Sequence, residues 1–266
     1  MKVRRIALGL RYDGSGYRGW QVQDMDLPTV QSATQRALSR VANHPISVVC
    51  AGRTDAGVHA TGQIIHFDTT VDRRDYSWVF GSNSNLPSDI SVLWAKETSP
   101  EFHARFSAVS RMYRYILYNH TIKPALLRHG VGWYHKPLNE RAMHQAAQYL
   151  LGEHDFTSFR GSGCQSRSPV RTMESINIVR RGKMVIIEVK ANAFLLHMVR
   201  NLVGSLITVG NGTEKPEWIK EVLMARDRRS AGVTIAPNGL YLVKVDYPEA
   251  FQLPQPPIGP YFLTES

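Results

Sequence analysis

Two successive stretches of this 266-residue chain carry the same order of hydrophobic patterns, and that repeated order constrains the fold more than any single motif. In the first, Ile6, Leu8, Leu10 and Tyr12 alternate as a half-buried strand does. Thr29 is placed to cap a helix with Val30, Ala33, Ala37, Leu38 and Val41 on one face. Strands are predicted over 46–50 and 64–67, a weak helix over 76–80, and a last strand through Ile90, Val92 and Trp94. The second stretch starts with a strand over 113–118. Met143, Ala146, Ala147, Leu150 and Leu151 then make a helix face. Ile176 and Ile178, then Val185, Ile187 and Val189, flank an Arg181-Gly182 hairpin turn. A long helix follows over 195–209, stopped by Gly210. Pro216 opens another, and Leu240, Leu242 and either Val243 or Val245 lie on a final strand.

Each stretch therefore reads βαββαβ, the split βαβ arrangement. The expected class is α+β. Two ferredoxin-like halves, residues 1–107 and 108–248, would set edge strands side by side in one extended antiparallel sheet with a central cleft. Residues 249–266, with Pro254-Gln255-Pro256-Pro257, read as a proline-rich tail. A hydrophobic share of 43% and a charged share of 20% are ordinary for a soluble protein. The opening Met1-Lys2-Val3-Arg4-Arg5 precedes an apolar run too short for a secretory leader, and no run approaches a membrane span. Cys50 and Cys164 form no CxxC pair, which suits a reducing compartment, and the expected location is cytoplasmic. A net charge of +10 favours polyanionic partners such as nucleic acid.

Gly14-Ser15-Gly16-Tyr17-Arg18-Gly19 matches GxGxxG, yet a dinucleotide fingerprint would open a helix directly and meet an acidic residue about 20 positions on. Here Trp20-Gln21-Val22-Gln23 leads to Pro28 first, and no acidic residue lies between Asp26 and Asp55, so a flexible aromatic-bearing loop is the better reading. There is no Walker A loop and no compact set of metal-ligating histidines, so neither a metal nor a cofactor is expected. The segment Ala51-Gly52-Arg53-Thr54-Asp55-Ala56-Gly57-Val58-His59-Ala60 joins two strands where a plain turn would suffice. An Asp in a glycine-flanked loop also suits such a turn. Arg53, two residues before Asp55, is close enough to pair with it and keep it ionised.

That segment, continuing through Gln63-Ile64-Ile65-His66-Phe67-Asp68-Thr69, resembles the catalytic signature of the TruA-type tRNA pseudouridine synthases. Tyr12-Asp13-Gly14 through Tyr17-Arg18-Gly19-Trp20-Gln21 is similar to the family's opening motif. Phe102 to Phe106, Arg111-Met112-Tyr113-Arg114-Tyr115, Asn192 to Arg200 and Gly239-Leu240-Tyr241-Leu242 resemble its later ones, so the likeness covers nearly the whole chain. The resemblance implies that Asp55 is the nucleophilic or base carboxylate and Arg53 its salt-bridge partner. It implies that Tyr113 stacks on the target uracil, where a core tyrosine is the plain alternative, and that Leu240 supplies an apolar wall. It also implies a homodimer acting on uridines 38, 39 and 40 in the tRNA anticodon stem-loop.

Three further groups suit RNA. Phe102, His103, Ala104, Arg105 and Phe106 interleave aromatics with basic groups, which fits stacking plus phosphate contact. Gly163, Cys164, Gln165, Ser166 and Arg167 lie in a flexible basic stretch, an RNA clamp or a plain surface loop. On the long helix, His197, Arg200, Asn201, Gly204, Ser205 and Thr208 fall on one stripe, which would face RNA or bond to the protein itself. Pseudouridine formation breaks the N1–C1′ bond, turns the base and rejoins it through C5, with no redox change. A carboxylate and a flipped-out uridine are what it needs. A tandem RNA-binding protein would share the charge and the halves, but it leaves the 52–57 loop unexplained and lacks the RNP1 aromatics. A glycosidase would want a paired carboxylate, which this loop lacks.

Overall fold

The expected strand is β1 (Arg4–Tyr12), but Ala7 and Gly9 are buried along with Ile6, Leu8 and Leu10, so it is covered on both faces rather than half-buried. In this computed structural model, which describes residues 2–23 and 27–263, the chain forms two compact units. One is Met1–Val109 with Tyr241–Ser266, the other Ser110–Leu240. The chain is mixed α and β, and its strands pair mostly antiparallel.

In the first unit β1 leads to α1 (Val30–Ala42), β2 (Val49–Cys50), β3 (His59–Thr69), α2 (Asp75–Asn83) and β4 (Ile90–Thr98). Thr29 caps α1 as expected: its backbone is extended and its hydroxyl accepts the Ser32 N–H at 3.2 Å. The strands run β4-β1-β3, all antiparallel, with Leu8 opposite Ile65 and Ala95 and with β2 beyond β3. Trp78 of α2 buries its ring edge-on against Phe67 of β3, at 5.0 Å. Burying a side chain of this kind contributes roughly 1.5–3 kcal/mol.

The second unit runs β5 (Ser110–Asn119), β6 (Gly132–Tyr134), α3 (Glu140–Ala147), β7 (Gly152–Asp155), β8 (Val170–Arg181), β9 (Met184–Ala191), α4 (Met198–Gly210) and α5 (Trp218–Ala225). Its strands lie β5-β9-β8-β7, antiparallel, with β6 parallel to β5. The hairpin turns at Gly182, whose φ is +57°. β10 (Leu240–Asp246) then sets Tyr241 and Leu242 parallel to His59 and Ala60 of β3.

The expected elements shift in several places. The strand foreseen over 46–50 is only Val49–Cys50, and β3 begins at His59 rather than Ile64. β3 buries His59, Gln63 and His66 among its apolar residues, so its first half shows no hydrophobic period. β6 and β7 were not foreseen, since three or four residues are too few to show one. α4 starts three residues late, because His197 takes a left-handed φ of 58°. The tail does not stand apart. Phe251 packs edge-on against Phe102 at 5.2 Å, Lys96 donates to the Phe251 carbonyl, and Leu253 is buried. From Tyr241 on, the last strand and the tail group with the first unit. Residues 264–266 of that tail lie outside the described residues.

Candidate active site

Polar groups hold the loop between β2 and β3 on both sides of Asp55. Gln63, fully buried on β3, donates to the Gly52 carbonyl at 2.6 Å and accepts the Gly52 N–H at 3.3 Å. The Tyr12 hydroxyl, at the end of β1, lies 2.8 Å from the Thr54 hydroxyl. Trp20 N–H donates to the Thr54 carbonyl at 3.0 Å and Gly57 N–H to the Tyr17 carbonyl at 3.4 Å. Val58 N–H closes a turn on the Asp55 carbonyl at 3.1 Å. Gly19 makes this possible. Its φ is +92°, and a Cβ there would sit 2.8 Å from the Thr54 carbonyl oxygen and 3.1 Å from the Asp55 carbonyl carbon. The glycine-rich opening segment is thus the support on which the Asp55 backbone rests. Asp55 itself is half-buried.

Around this loop the electrostatics are set by local partners. The His59 ring at 3.1 Å and the Ser15 N–H at 2.9 Å hold the Asp13 carboxyl well below the usual carboxylate range, against the opposing effect of its burial. Burial, and donation to Asp89 at 2.6 Å, push the Tyr17 hydroxyl up. Arg53, two residues before Asp55, is exposed on the same loop.

The 102–106 stretch divides. Phe102 and Ala104 are fully buried, so Phe102 cannot stack on RNA as the sequence pattern suggested and Ala104 offers RNA no surface. Phe102 fills a cluster with Tyr247 and Phe251, and Ala104 N–H donates to His66 Nδ1 at 3.1 Å. That bond needs an unprotonated Nδ1. Burial, with Arg5 and His103 nearby, lowers the His66 pKa to about 4. His103 spends its own Nδ1 on the Arg105 and Phe106 N–H groups, which turns those two side chains outward. Arg105 and Phe106 are exposed, with the guanidinium 5.7 Å from the ring centroid.

In the second unit Tyr113 is buried on β5 opposite Val189 and meets Phe194 edge-on at 5.0 Å. Phe194 was not singled out from the sequence. An aromatic three residues before His197, at the foot of the long helix, was the available signal. Leu240 is buried at the start of β10. The 160–167 loop is braced rather than flexible. Arg160 donates to the carbonyls of Cys164 (2.7 Å) and Ser166 (2.8 Å), and Arg171 reaches the Ser166 hydroxyl at 2.6 Å. Gly161 N–H donates to the Leu196 carbonyl at 2.7 Å, and Leu196 N–H returns to Cys164 Sγ at 3.5 Å. The loop is therefore fastened to the turn carrying Phe194 and His197, with Gly163, Gln165 and Arg167 exposed.

The middle of the polar stripe on α4 is turned into the protein itself. Asn201 and Ser205 are fully buried. Asn201 donates to the Phe159 carbonyl (2.8 Å) and accepts from Thr234 (2.6 Å) and Arg228 (3.1 Å), while Ser205 accepts the Gly232 N–H at 2.9 Å. Arg200 Nε donates to the Ile235 carbonyl at 2.8 Å. Gly204 lets this strap lie close, since a Cβ would fall 1.8 Å from the Val233 carbonyl oxygen. Chain connectivity put a segment on the stripe, and His197, Arg200 and Thr208 stay half-exposed.

Among the described residues, no three His, Cys, Asp or Glu side chains converge as a metal cluster, and no helix is long and apolar enough to cross a membrane. A family model described as tRNA pseudouridine synthase matches residues 10–107 and 146–248. The chain is 62% identical to the tRNA pseudouridine synthase A of Coxiella burnetii (strain Dugway 5J108-111) over 261 residues, 98% of this chain and 100% of that one. It is 58% identical to the protein of that name from Vibrio parahaemolyticus serotype O3:K6 over 262 residues, 98% of this chain and 99% of the other. A solved Cbf5-Nop10-Gar1 complex is similar at a TM-score of 0.41 and 11% identity, over 89% of this chain and 48% of that one, which is too slight a likeness to carry an argument.

Proposed function

The chain belongs to the tRNA pseudouridine synthase family, and from that premise we propose that it isomerises uridines 38, 39 and 40 of the tRNA anticodon stem-loop, with Asp55 as the reacting carboxylate. As a tRNA pseudouridine synthase it is an isomerase. The observation that carries the assignment to Asp55 is its loop: a half-buried carboxylate on a backbone pinned by Gln63, Tyr12, Trp20 and Tyr17. A reacting group held this firmly starts close to its working geometry. Three routes are open to it, namely attack on C1′, attack on C6, or removal of the C2′ proton, and each needs the carboxylate ionised and still. Incubation with tRNA tritiated at uridine C5 tests the reaction. Isomerisation releases tritium while the RNA chain stays whole, whereas binding alone releases none.

Substrate contacts in this reading come from Tyr113, Leu240 and Arg53, with Tyr113 leaving Phe194 to lie against the flipped uracil. The exposed members of the basic and aromatic segments, Arg105 and Phe106 above all, meet the phosphate backbone. Arg105→Ala should weaken tRNA binding and flatten the dependence of log K on log salt by roughly one unit, leaving the bound-state rate unchanged. A titration at several salt concentrations reads both, and an unaltered slope removes Arg105 from the interface.

The βαββαβ order and the β4-β1-β3-β2 sheet of the first unit support the ferredoxin-like reading of that half. The protein acts in the cytoplasm, where its substrate is, and as a homodimer. Light scattering at working concentration is expected to give twice the chain mass, and a monomer there would remove the dimer.

A further inference from the structure

We propose that His59 is a positioning residue for the Asp55 loop: its ring ties the opening segment at Asp13 and Gly14 to the point where that loop enters β3. The inference rests on Asp55 being the reacting carboxylate. His59 is the first residue of β3, four positions after Asp55, and is only 3% exposed. A buried imidazole costs free energy unless its nitrogens are used. Nδ1 lies 3.0 Å from the Gly14 nitrogen and 3.1 Å from Asp13 Oδ1. The two contacts make opposite demands. With a proton on Nδ1 the ring donates to the Asp13 carboxylate, and without one it accepts the Gly14 N–H. In both states His59 holds the same dipeptide.

The ring itself is locked. It stacks on Tyr241 of β10, with centroids 4.7 Å apart and planes at 22°. The dipeptide is locked at its far side as well. Asp13 N–H donates to the Asp89 carbonyl at 2.9 Å, and the Tyr17 hydroxyl donates to Asp89 Oδ1 at 2.6 Å. Tyr17 and Trp20 in turn hold Gly57 and Thr54, the residues two after and one before Asp55. The loop, the opening segment and the start of β3 form a closed circuit, and the His59 ring is the side chain that closes it. Loosening the circuit lets the carboxylate drift, while the groups that grip the tRNA backbone are unchanged.

The test measures single-turnover rate, tRNA Kd and thermal midpoint for His59→Leu, His59→Asn and Asp13→Asn, beside Asp55→Asn. His59→Leu keeps the bulk and loses the nitrogen, and its rate should fall about 100-fold with Kd within about threefold of wild type. His59→Asn sets an amide near the Nδ1 position and should recover to within about tenfold of wild type. A merely structural histidine would lose rate, binding and midpoint together and gain nothing from the amide. His59→Leu within about threefold of wild type, or Asn no better than Leu, overturns the proposal. Should His59→Leu fail to fold, Asp13→Asn decides, because that carboxylate is half-exposed. A fall of about fivefold or more at unchanged Kd supports the proposal, and a smaller one overturns it. Activity in Asp55→Asn would bring down the reading of Asp55 instead. An inert Asp55→Asn beside a fully active His59→Leu would bring down this inference alone.

Discussion

Asp55→Asn should remove turnover, with a rate loss of about 10⁴-fold or more and an almost unchanged affinity for tRNA. The substitution keeps the size of the side chain and takes away the negative charge, whether that charge attacks carbon or accepts a proton. Several of the bonds that fix the loop run through groups other than the Asp55 carboxylate. The pins run through the Gly52 backbone, the Thr54 hydroxyl and carbonyl, the Gly57 N–H and the Asp55 main-chain carbonyl. The variant should therefore fold, and the phosphate contacts that dominate RNA affinity should survive. Measurable isomerisation by protein free of wild-type enzyme would sink the assignment. A loss of binding equal to the loss of rate would make Asp55 a substrate-gripping residue instead.

The second large effect is expected on stability, from Asn201→Leu. Asn201 is wholly buried on α4 and serves three partners at once, the Phe159 carbonyl, the Thr234 hydroxyl and the Arg228 guanidinium. An apolar side chain of similar size takes one bond from each, at about 1–3 kcal/mol for a buried group left unpaired. Since Arg228 and Thr234 regain some water, the expected total is about 3 kcal/mol, a large part of a typical ~5–15 kcal/mol of stability. The thermal midpoint should then fall by roughly 6–12 °C. Were the α4 stripe an RNA-facing surface, the same change would weaken tRNA binding and leave the midpoint alone. Calorimetry beside a binding titration separates the two, and a midpoint shift under about 1 °C contradicts the buried network.

What could be read from the sequence follows from where the physics is local. The strand β1, the Thr29 cap and the Arg181-Gly182 hairpin each depend on a few neighbouring residues, and each was legible. The start of β3 was hidden because His59 and Gln63 look like loop residues until their partners, Gly14 and Gly52, are folded against them. α4 was legible as a helix, but its polar stripe was ambiguous. Periodicity shows that a face is polar, not that residues 228–235 will return to cover it. Phe102 misled for a related reason. An aromatic among basic residues fits stacking on RNA, yet Tyr247 and Phe251, nearly 150 positions on, enclose it. The Asp55 loop stood out because glycines and an Asp interrupt two strands. Its supports lie in the opening segment, whose GxGxxG pattern invited a nucleotide reading that the absence of a following helix ruled out.

An enzyme that makes pseudouridine at several neighbouring positions of one stem-loop is expected to recognise the shape of tRNA. Contacts to phosphate and sugar position RNA without reading its sequence. Folded tRNA should therefore be a far better substrate than an unstructured oligonucleotide of the same anticodon sequence. Mapping pseudouridine by carbodiimide modification and reverse transcription, on unmodified tRNA transcripts with altered flanking bases, tests this most directly. The expected result is pseudouridine at more than one of positions 38, 39 and 40 with little dependence on the flanks. Modification confined to a single position, or found in the T-loop, would contradict it.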